Sequence, residues 1–190
     1  KYRNPSLAEG DSVAALLEQC EQARAFVWGQ QPTIANFLPS HLQERDVETE
    51  YMMRLAKIRS RATKYLLHGT FLRPPKLDVP KATLDLSRLS IYAGQKGGLT
   101  STQGEYPLAI AGSWQATDGN VGIALASIAN EPITFELNLD SKDYGLKKAG
   151  TIYRIEERGR KKIGQWRNGN PQVKVELPQR GACVIEFSGK

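Results

Sequence analysis

The feature that most constrains this chain is a long helical pattern that is stopped firmly near residue 75. From Asp46 onward apolar residues recur every three or four positions: Tyr51, Leu55, Ile58, Ala62 and Tyr65, with Met52 and Leu66 beside them. This spacing predicts one helix with a single buried stripe. Gly69 is placed to cap the helix, and Pro74-Pro75 prevents a restart. We therefore expect the chain to change from helices to strands at this point.

After Pro75 the sequence carries the period-two pattern of strands. Apolar residues alternate with polar or small ones in segments 84–89, 109–114, 121–125, 133–139, 173–177 and 183–187. Turn-forming sequences such as Asp118-Gly119-Asn120 separate them. About eight short strands bounded by such turns are typical of an antiparallel β-sandwich. The predicted fold class is α+β overall, with a helical segment over residues 1–75 and an antiparallel β-sandwich over residues 76–190.

The first segment predicts a helix, a strand and a second helix. Asp11-Ser12 can cap a helix whose stripe includes Leu16 and Cys20. Residues 25–28 form a short apolar run closed by Gly29, which indicates a strand buried on both faces, although a helix continuing through the run is the alternative. A single strand makes no sheet. Either its partner strands lie outside this chain, or the helices cover the β domain.

Composition and charge exclude several classes of protein. The 190 residues contain no apolar run of the roughly 20 residues that span a bilayer, so we expect no membrane segment. The net charge of +6 lies entirely within residues 147–167, which indicates a solvated basic hairpin, so no nucleic-acid partner is expected. Nucleic-acid binding through Arg158 to Lys162 is the alternative. Cys20 and Cys183 are interpreted as small buried side chains. His41 and His68 are too few and too isolated for a zinc site, so no metal or cofactor is expected.

No catalytic constellation is present in the sequence. It contains no GxSxG elbow, no HExxH pair and no phosphate-binding glycine loop before a helix. Asp118 and Asp143 occupy turns, without the partners that a general acid or nucleophile requires. We therefore predict no catalytic residue within this chain.

The best candidate for a binding site is Trp28-Gly29-Gln30-Gln31, at the end of the predicted strand. In parallel α/β folds such positions line the ligand cleft. An indole beside two amides suits a sugar, because the ring stacks on its apolar face while the amides bond hydroxyls. The alternative places Trp28 in the core and the glutamines on a loop surface. Of the other tryptophans, Trp114 is expected in the core, and Trp166 could be an exposed stacking platform.

Several stretches together resemble one protein family. They are Phe26-Val27-Trp28-Gly29-Gln30-Gln31-Pro32, residues 59–69, Leu72-Arg73-Pro74-Pro75, Gly112-Ser113-Trp114, residues 118–123 and Asp143-Tyr144-Gly145-Leu146. Their order is similar to the C-terminal end of large bacterial TIM-barrel proteins related to glycoside hydrolases, near the α-galactosidase-like barrels. In that family the last strand and helix of the barrel run into a C-terminal antiparallel β-sandwich.

The resemblance implies a C-terminal portion of a glycoside hydrolase, with residues 1–75 ending the barrel and the β-sandwich supporting it. Its partners would be a carbohydrate, contacted by Trp28, Gln30 and Gln31, and an upstream barrel domain holding the catalytic carboxylates. The chain begins Lys1-Tyr2-Arg3, which agrees with an excised piece. The family implies a periplasmic or secreted location. The alternative is a stand-alone β-sandwich module that binds carbohydrate or protein without catalysis.

Overall fold

The computed structural model describes residues 13–31, 38–88 and 100–189. Its helices are α1 (Val13–Val27), α2 (His41–Glu44), α3 (Asp46–Arg61) and α4 (Thr63–Leu66). Its strands are β1 (Thr70–Leu72), β2 (Lys81–Arg88), β3 (Thr100–Pro107), β4 (Ala109–Gln115), β5 (Val121–Ser127), β6 (Ile133–Asn138), β7 (Ala149–Glu156), β8 (Gly159–Arg167), β9 (Gln172–Leu177) and β10 (Ala182–Gly189). The predicted cap at Asp11-Ser12 and the apolar residue Leu89 lie outside the described residues.

The strands form antiparallel sheets. The largest has six strands in the order β1-β4-β5-β10-β7-β8, and two smaller sheets pair β2 with β3 and β6 with β9. In the centre of the large sheet, Ile185 of β10 lies between Ile123 of β5 and Arg154 of β7. Helices and antiparallel strands therefore occur together, and the predicted α+β class is confirmed. Among the described helices, none is long and apolar enough to cross a membrane.

Each face of the large sheet is covered by a different layer. One hydrophobic cluster joins α1, α3 and α4 to Ala124, Ala126, Ile155 and Val184 of the sheet. The second cluster joins alternate residues of the same strands, such as Ile123 and Ile185, to β6 and β9. Because neighbouring residues of a strand point to opposite faces, these clusters lie on the two sides of one sheet. This arrangement of helices, a large sheet and a strand pair does not establish the predicted β-sandwich.

The prediction of a buried strand at residues 25–28 is wrong. These residues form the last turn of α1, whose end is closed by a Schellman motif: the Gln30 amide donates to the Ala25 carbonyl at 2.8 Å, and the Gly29 amide donates to the Phe26 carbonyl at 3.0 Å. Gly29 has the left-handed φ of 71° that this cap requires. Phe26 and Val27 are buried because the helix lies on the sheet, so the helices cover the chain's own β-strands.

The predicted stripe of the second long helix is confirmed. Tyr51, Leu55, Ile58, Ala62 and Tyr65 are each at most 1% exposed. The helix is shorter than predicted, because α3 ends at Arg61, a single further turn forms α4, and β1 already pairs with β4 at Thr70–Leu72. The strands thus begin before Pro74-Pro75 instead of after it. The placement of a domain boundary at residue 75 stays a prediction.

Candidate functional site

A surface groove runs along the C-terminal half of α1 and the residues that follow it. It has a volume of about 360 Å³. Eight of the described residues line it: Glu18, Glu21, Gln22, Arg24, Ala25, Trp28, Gln30 and Gln31. The structure therefore brings all three predicted sugar-contacting residues to one concave surface. It does so at the end of a helix, whereas the sequence predicted the end of a parallel strand.

Trp28 displays its indole at the surface of this groove. Its side chain is 50% exposed, so the alternative that placed Trp28 in the core is wrong. The backbone amide of Trp28 still donates to the Arg24 carbonyl at 3.0 Å, which holds the residue at the end of the helix. The Arg24 guanidinium lies 5.5 Å from the centroid of the indole ring, within cation–π range. Gln30 and Gln31 are both exposed.

The turn that carries Trp28 is fixed from below by two hydrogen bonds and by close packing at Gly29. The indole of Trp114 donates to the Val27 carbonyl at 2.9 Å, and Arg59 donates to the Gly29 carbonyl at 3.1 Å. A Cβ added at Gly29 would lie 2.6 Å from the Leu66 carbonyl oxygen and 2.8 Å from the Trp114 ring, so this position has room only for glycine. A ligand would consequently meet Trp28 in a preorganised position, which limits the entropy lost on binding.

The charged side chains that line the groove are already paired. Glu18 accepts from Arg45 at 3.1 Å, with both side chains partly buried. Glu21 accepts from Arg24, the residue that also covers the Trp28 ring. The two carboxylates and two guanidinium groups balance one another. The groove therefore presents a ring and amide groups to a ligand, with little net charge.

Gln22 is the groove residue that sequence reasoning missed. Its side chain is 3% exposed, and its Nε2 donates to Glu18 Oε1 at 3.4 Å. Its Oε1 is buried without a hydrogen-bond partner among the described residues. Nothing in the local sequence distinguishes it from the other polar residues of α1, Glu18, Gln19 and Glu21. Only the packing of α1 against the rest of the chain buries it.

The other tryptophans have structural surroundings. Trp166 is 5% exposed, and its indole N–H donates to the Lys147 carbonyl at 3.0 Å. Its ring lies edge-on to the ring of Phe187, with the two ring centroids 6.0 Å apart. The prediction of an exposed stacking platform at Trp166 is therefore wrong. Its ring is buried because Gly150, its register partner on β7, leaves the space that a side chain would fill. Trp114, expected in the core, is partly buried beneath the Trp28 turn.

The carboxylates singled out in the sequence have structural partners or lie exposed. Asp118 accepts from Lys64 at 3.0 Å and from the side chain of Asn120 at 2.9 Å. Slight burial raises the pKa of Asp118, but these hydrogen bonds outweigh burial and hold the pKa below its ordinary value. Asp143 is exposed in a turn. Within the described ranges, no group of three or more histidine, cysteine or acidic residues is placed to hold a metal ion.

The basic hairpin β7–β8 is partly neutralised by a buried carboxylate. Arg160 donates to Glu186 at 2.8 and 3.2 Å and stacks on Tyr153, with its guanidinium 3.3 Å from the ring centroid. The Glu186 side chain is only 3% exposed. Arg154 pairs with Glu156 at 2.5 Å. We still predict that this hairpin does not bind nucleic acid.

Comparison with known proteins gives distant structural neighbours only. No family model matches the chain, and no curated protein matches it. A candidate α-N-acetylgalactosaminidase of Bacillus halodurans aligns with 91% of this chain and 31% of its own, at 12% identity and a TM-score of 0.45. α-Galactosidase I of Mortierella vinacea aligns with 91% of this chain and 37% of its own, at 8% identity and a TM-score of 0.36.

A GH27 β-L-arabinopyranosidase of Geobacillus stearothermophilus aligns over a smaller part, 44% of this chain and 18% of its own, at 16% identity and a TM-score of 0.35. All three neighbours are glycoside hydrolases. The chain spans well under two thirds of the length of each. These TM-scores are too low to support an argument, so the proposals below rest on the residues of this chain.

Proposed function

We propose that this chain is the C-terminal portion of a glycoside hydrolase and that its α1 groove contacts the carbohydrate. The observation that carries the proposal is the half-exposed Trp28, held in a fixed turn beside Gln30 and Gln31 in one groove. An indole face suits the C–H face of a sugar ring, and the two amides can both donate to and accept from hydroxyl groups. The charged side chains that the structure describes in this groove, Glu18, Glu21 and Arg24, are all in ion pairs, so they do not call for an ionic ligand.

In this proposal the chain itself performs no bond cleavage. Glycoside hydrolysis uses two carboxyl groups about 5–10 Å apart on opposite sides of the scissile bond. Glu18 and Glu21 line the groove, but each is bound to an arginine, which leaves neither placed as a free acid and nucleophile. The catalytic carboxylates would belong to a barrel upstream of this chain, and the sheet domain would support that barrel. The groove would then add a sugar contact at the edge of the active site.

The first experiment measures sugar binding by the 190-residue chain. The probes are galactose, arabinose and N-acetylgalactosamine, followed by tryptophan fluorescence and by NMR chemical shifts. We expect saturable binding that weakens about tenfold or more when Trp28 is changed to Ala, because one central aromatic side chain carries much of such an interface. Met53→Ala is the matched control, since Met53 is similarly exposed at 48% but lies on α3 and does not line the groove.

Three outcomes would contradict the proposal. An absence of saturable binding to any of the three sugars would remove the carbohydrate contact. Equal weakening by Met53→Ala would show that Trp28 has no specific role. Hydrolysis of aryl glycosides by the 190-residue chain would contradict the placement of the catalytic carboxylates upstream.

A second candidate function is a stand-alone module that binds carbohydrate without belonging to a hydrolase. It is favoured by one observation: α1 and α3 bury their apolar faces on the chain's own sheet, so the described part requires no partner strand. Both candidates predict sugar binding. The two candidates differ in the amino-acid sequence that they require upstream of Lys1. A hydrolase requires alternating strands and helices there, with acidic residues at the ends of two strands.

A further inference from the structure

We propose that Gln22 is a further ligand-binding residue, whose side-chain carbonyl accepts a hydrogen bond from a hydroxyl of an uncharged sugar in the α1 groove. This inference rests on the proposed function, because it names the kind of sugar that the same groove accepts. Gln22 thus joins Trp28, Gln30 and Gln31, and it lies deeper in the groove than any of these three, at 3% exposure.

The orientation of the Gln22 amide follows from its neighbour. An ionised carboxylate can only accept hydrogen bonds, so the Gln22 group 3.4 Å from Glu18 Oε1 must be the Nε2 donor. Glu18 is held in place in turn by Arg45. The carbonyl oxygen of Gln22 is therefore directed away from Glu18, and it has no donor among the described residues.

A buried acceptor without a donor is unfavourable, because it has lost its water and gained no hydrogen bond. Buried polar atoms of native proteins are nearly always paired with protein, water or ligand. Gln22 lines the groove, but its Oε1 is sealed from solvent, so the amide must rotate slightly before a group in the groove can supply the missing donor. A sugar hydroxyl is such a donor.

The charges around Gln22 indicate that this sugar is uncharged. An acidic sugar could pair with Arg24 only by displacing Glu21, and its carboxylate would then lie near Glu21 and Glu18. A cationic amino sugar would compete with Arg45 and Arg24 for those same carboxylates. Either ligand would disturb the existing ion pairs, whereas a neutral sugar needs only the ring face and the amide groups. We therefore expect discrimination against charged sugars of the same size.

The test compares galactose with galacturonic acid, which differ only in the group at C6, on three variants of the 190-residue chain. Gln22→Met keeps the length of the side chain and removes the acceptor. Gln19→Met is the matched control, because Gln19 is a buried glutamine of the same helix that accepts from Arg180 and does not line the groove. Trp28→Ala tests the groove itself.

We expect Gln22→Met to weaken galactose binding about tenfold, and Gln19→Met to leave it unchanged. Galacturonic acid should bind the parent chain at least about tenfold more weakly than galactose does. Should Gln22→Met fail to fold, Gln22→Asn withdraws the acceptor while keeping an amide, and the same weakening is expected of it.

The possible failures are distinguishable. If Trp28→Ala loses galactose but Gln22→Met binds it as tightly as the parent, then Gln22 only holds a water molecule. The inference about Gln22 is then overturned, and the proposed function stands. Equal affinity for galacturonic acid overturns the selection for uncharged sugars. If the parent binds neither sugar, the proposed function fails together with this inference.

Discussion

The two faces of the six-stranded sheet are built from different residues, although they share the same strands. The face toward β6 and β9 carries large aliphatic and aromatic side chains, among them Ile123, Ile185 and Phe187. The face toward the helices combines Ile155 and Val184 with Ala124 and Ala126 of β5 and Gly112 of β4. The small residues of β4 and β5 let the end of α1 approach closely, since a Cβ added at Gly112 would lie 1.9 Å from the Val27 carbonyl oxygen.

This difference places chemistry on the helix face. The hydrophobic cluster on the strand face includes Cys183, whose thiol pKa is raised to about 12 by burial. The helix face contains the buried carboxylate Glu186 and supports the turn that displays Trp28. We infer that the strand face serves stability, whereas the helix layer serves binding. The predictions below test this division, beginning with the largest effect.

The largest loss of stability is expected from Phe187→Ala on the strand face. Phe187 is fully buried and packs against Trp166, so its removal leaves a cavity and should cost about 3–5 kcal/mol. Urea unfolding followed by fluorescence measures this loss, while sugar binding by the folded fraction should stay unchanged.

Leu55→Ala on α3 is the counterpart on the other face, and it should cost about 2–5 kcal/mol and weaken sugar binding as well. Binding lost equally in both variants would contradict the division.

A smaller effect is expected from Gly112→Ala on the helix face. A Cβ at this position would lie 1.9 Å from the Val27 carbonyl oxygen, so it must push the end of α1 away from the sheet. We expect a loss of about 1–3 kcal/mol and a weaker response to galactose, because Trp28 follows Val27 directly. Gly164→Ala is the control: its added Cβ would meet nothing closer than 3.8 Å, and its effect should stay within about 0.5 kcal/mol. Equal losses in the two variants would show that α1 tolerates displacement.

The parts of the fold that could be predicted are those set by local periodicity. Tyr51, Leu55 and Ile58 repeat at helical spacing over many residues, which leaves one interpretation. Residues 25–28 are too short for such a decision, because an apolar run followed by glycine fits a buried strand and a capped helix equally well. Trp28 and the two glutamines line one groove despite this error, since both interpretations end the element beside Gly29. Their role in binding stays a prediction.

The parts that could not be predicted depend on contacts between distant residues. Trp166 lies in a basic hairpin and is buried only because Gly150 is its register partner. Glu186 lies between Ile185 and Phe187 in β10, so its side chain points to the opposite face of the sheet. That face would be open to solvent if α4 did not cover it. Gln22 is a polar residue of a polar helix, and only packing deprives its carbonyl of water. No spacing within the sequence indicates any of these three.

The smallest effect is expected from Glu186→Gln, which tests whether the ionic cluster on the helix face is structural. Glu186 accepts from Arg160 at 2.8 Å and from Lys64 at 3.4 Å. Burial raises the pKa of Glu186, but these two cations more than offset burial and hold its pKa below the ordinary value of 4.5. Because Arg160 and Lys64 are nearly half exposed and can regain water, Glu186→Gln should cost only about 1 kcal/mol at neutral pH.

The pH dependence gives the sharper measurement. A carboxylate whose pKa is lowered on folding stabilises the protein fully above its unfolded pKa, and this contribution is lost as the pH falls through the folded pKa. The advantage of the parent over Glu186→Gln should therefore be complete above about pH 4.5 and should be lost as the pH falls through the folded pKa, which lies below that value, when free energies of unfolding in urea are compared down to about pH 3. Asp118→Asn is the necessary control, because Asp118 also has a lowered pKa and shares Lys64. Parallel curves for the parent and Glu186→Gln would show that Glu186 gains nothing from its ion pairs, and that α4 is held on the sheet by apolar packing such as that of Tyr65 over Gly122.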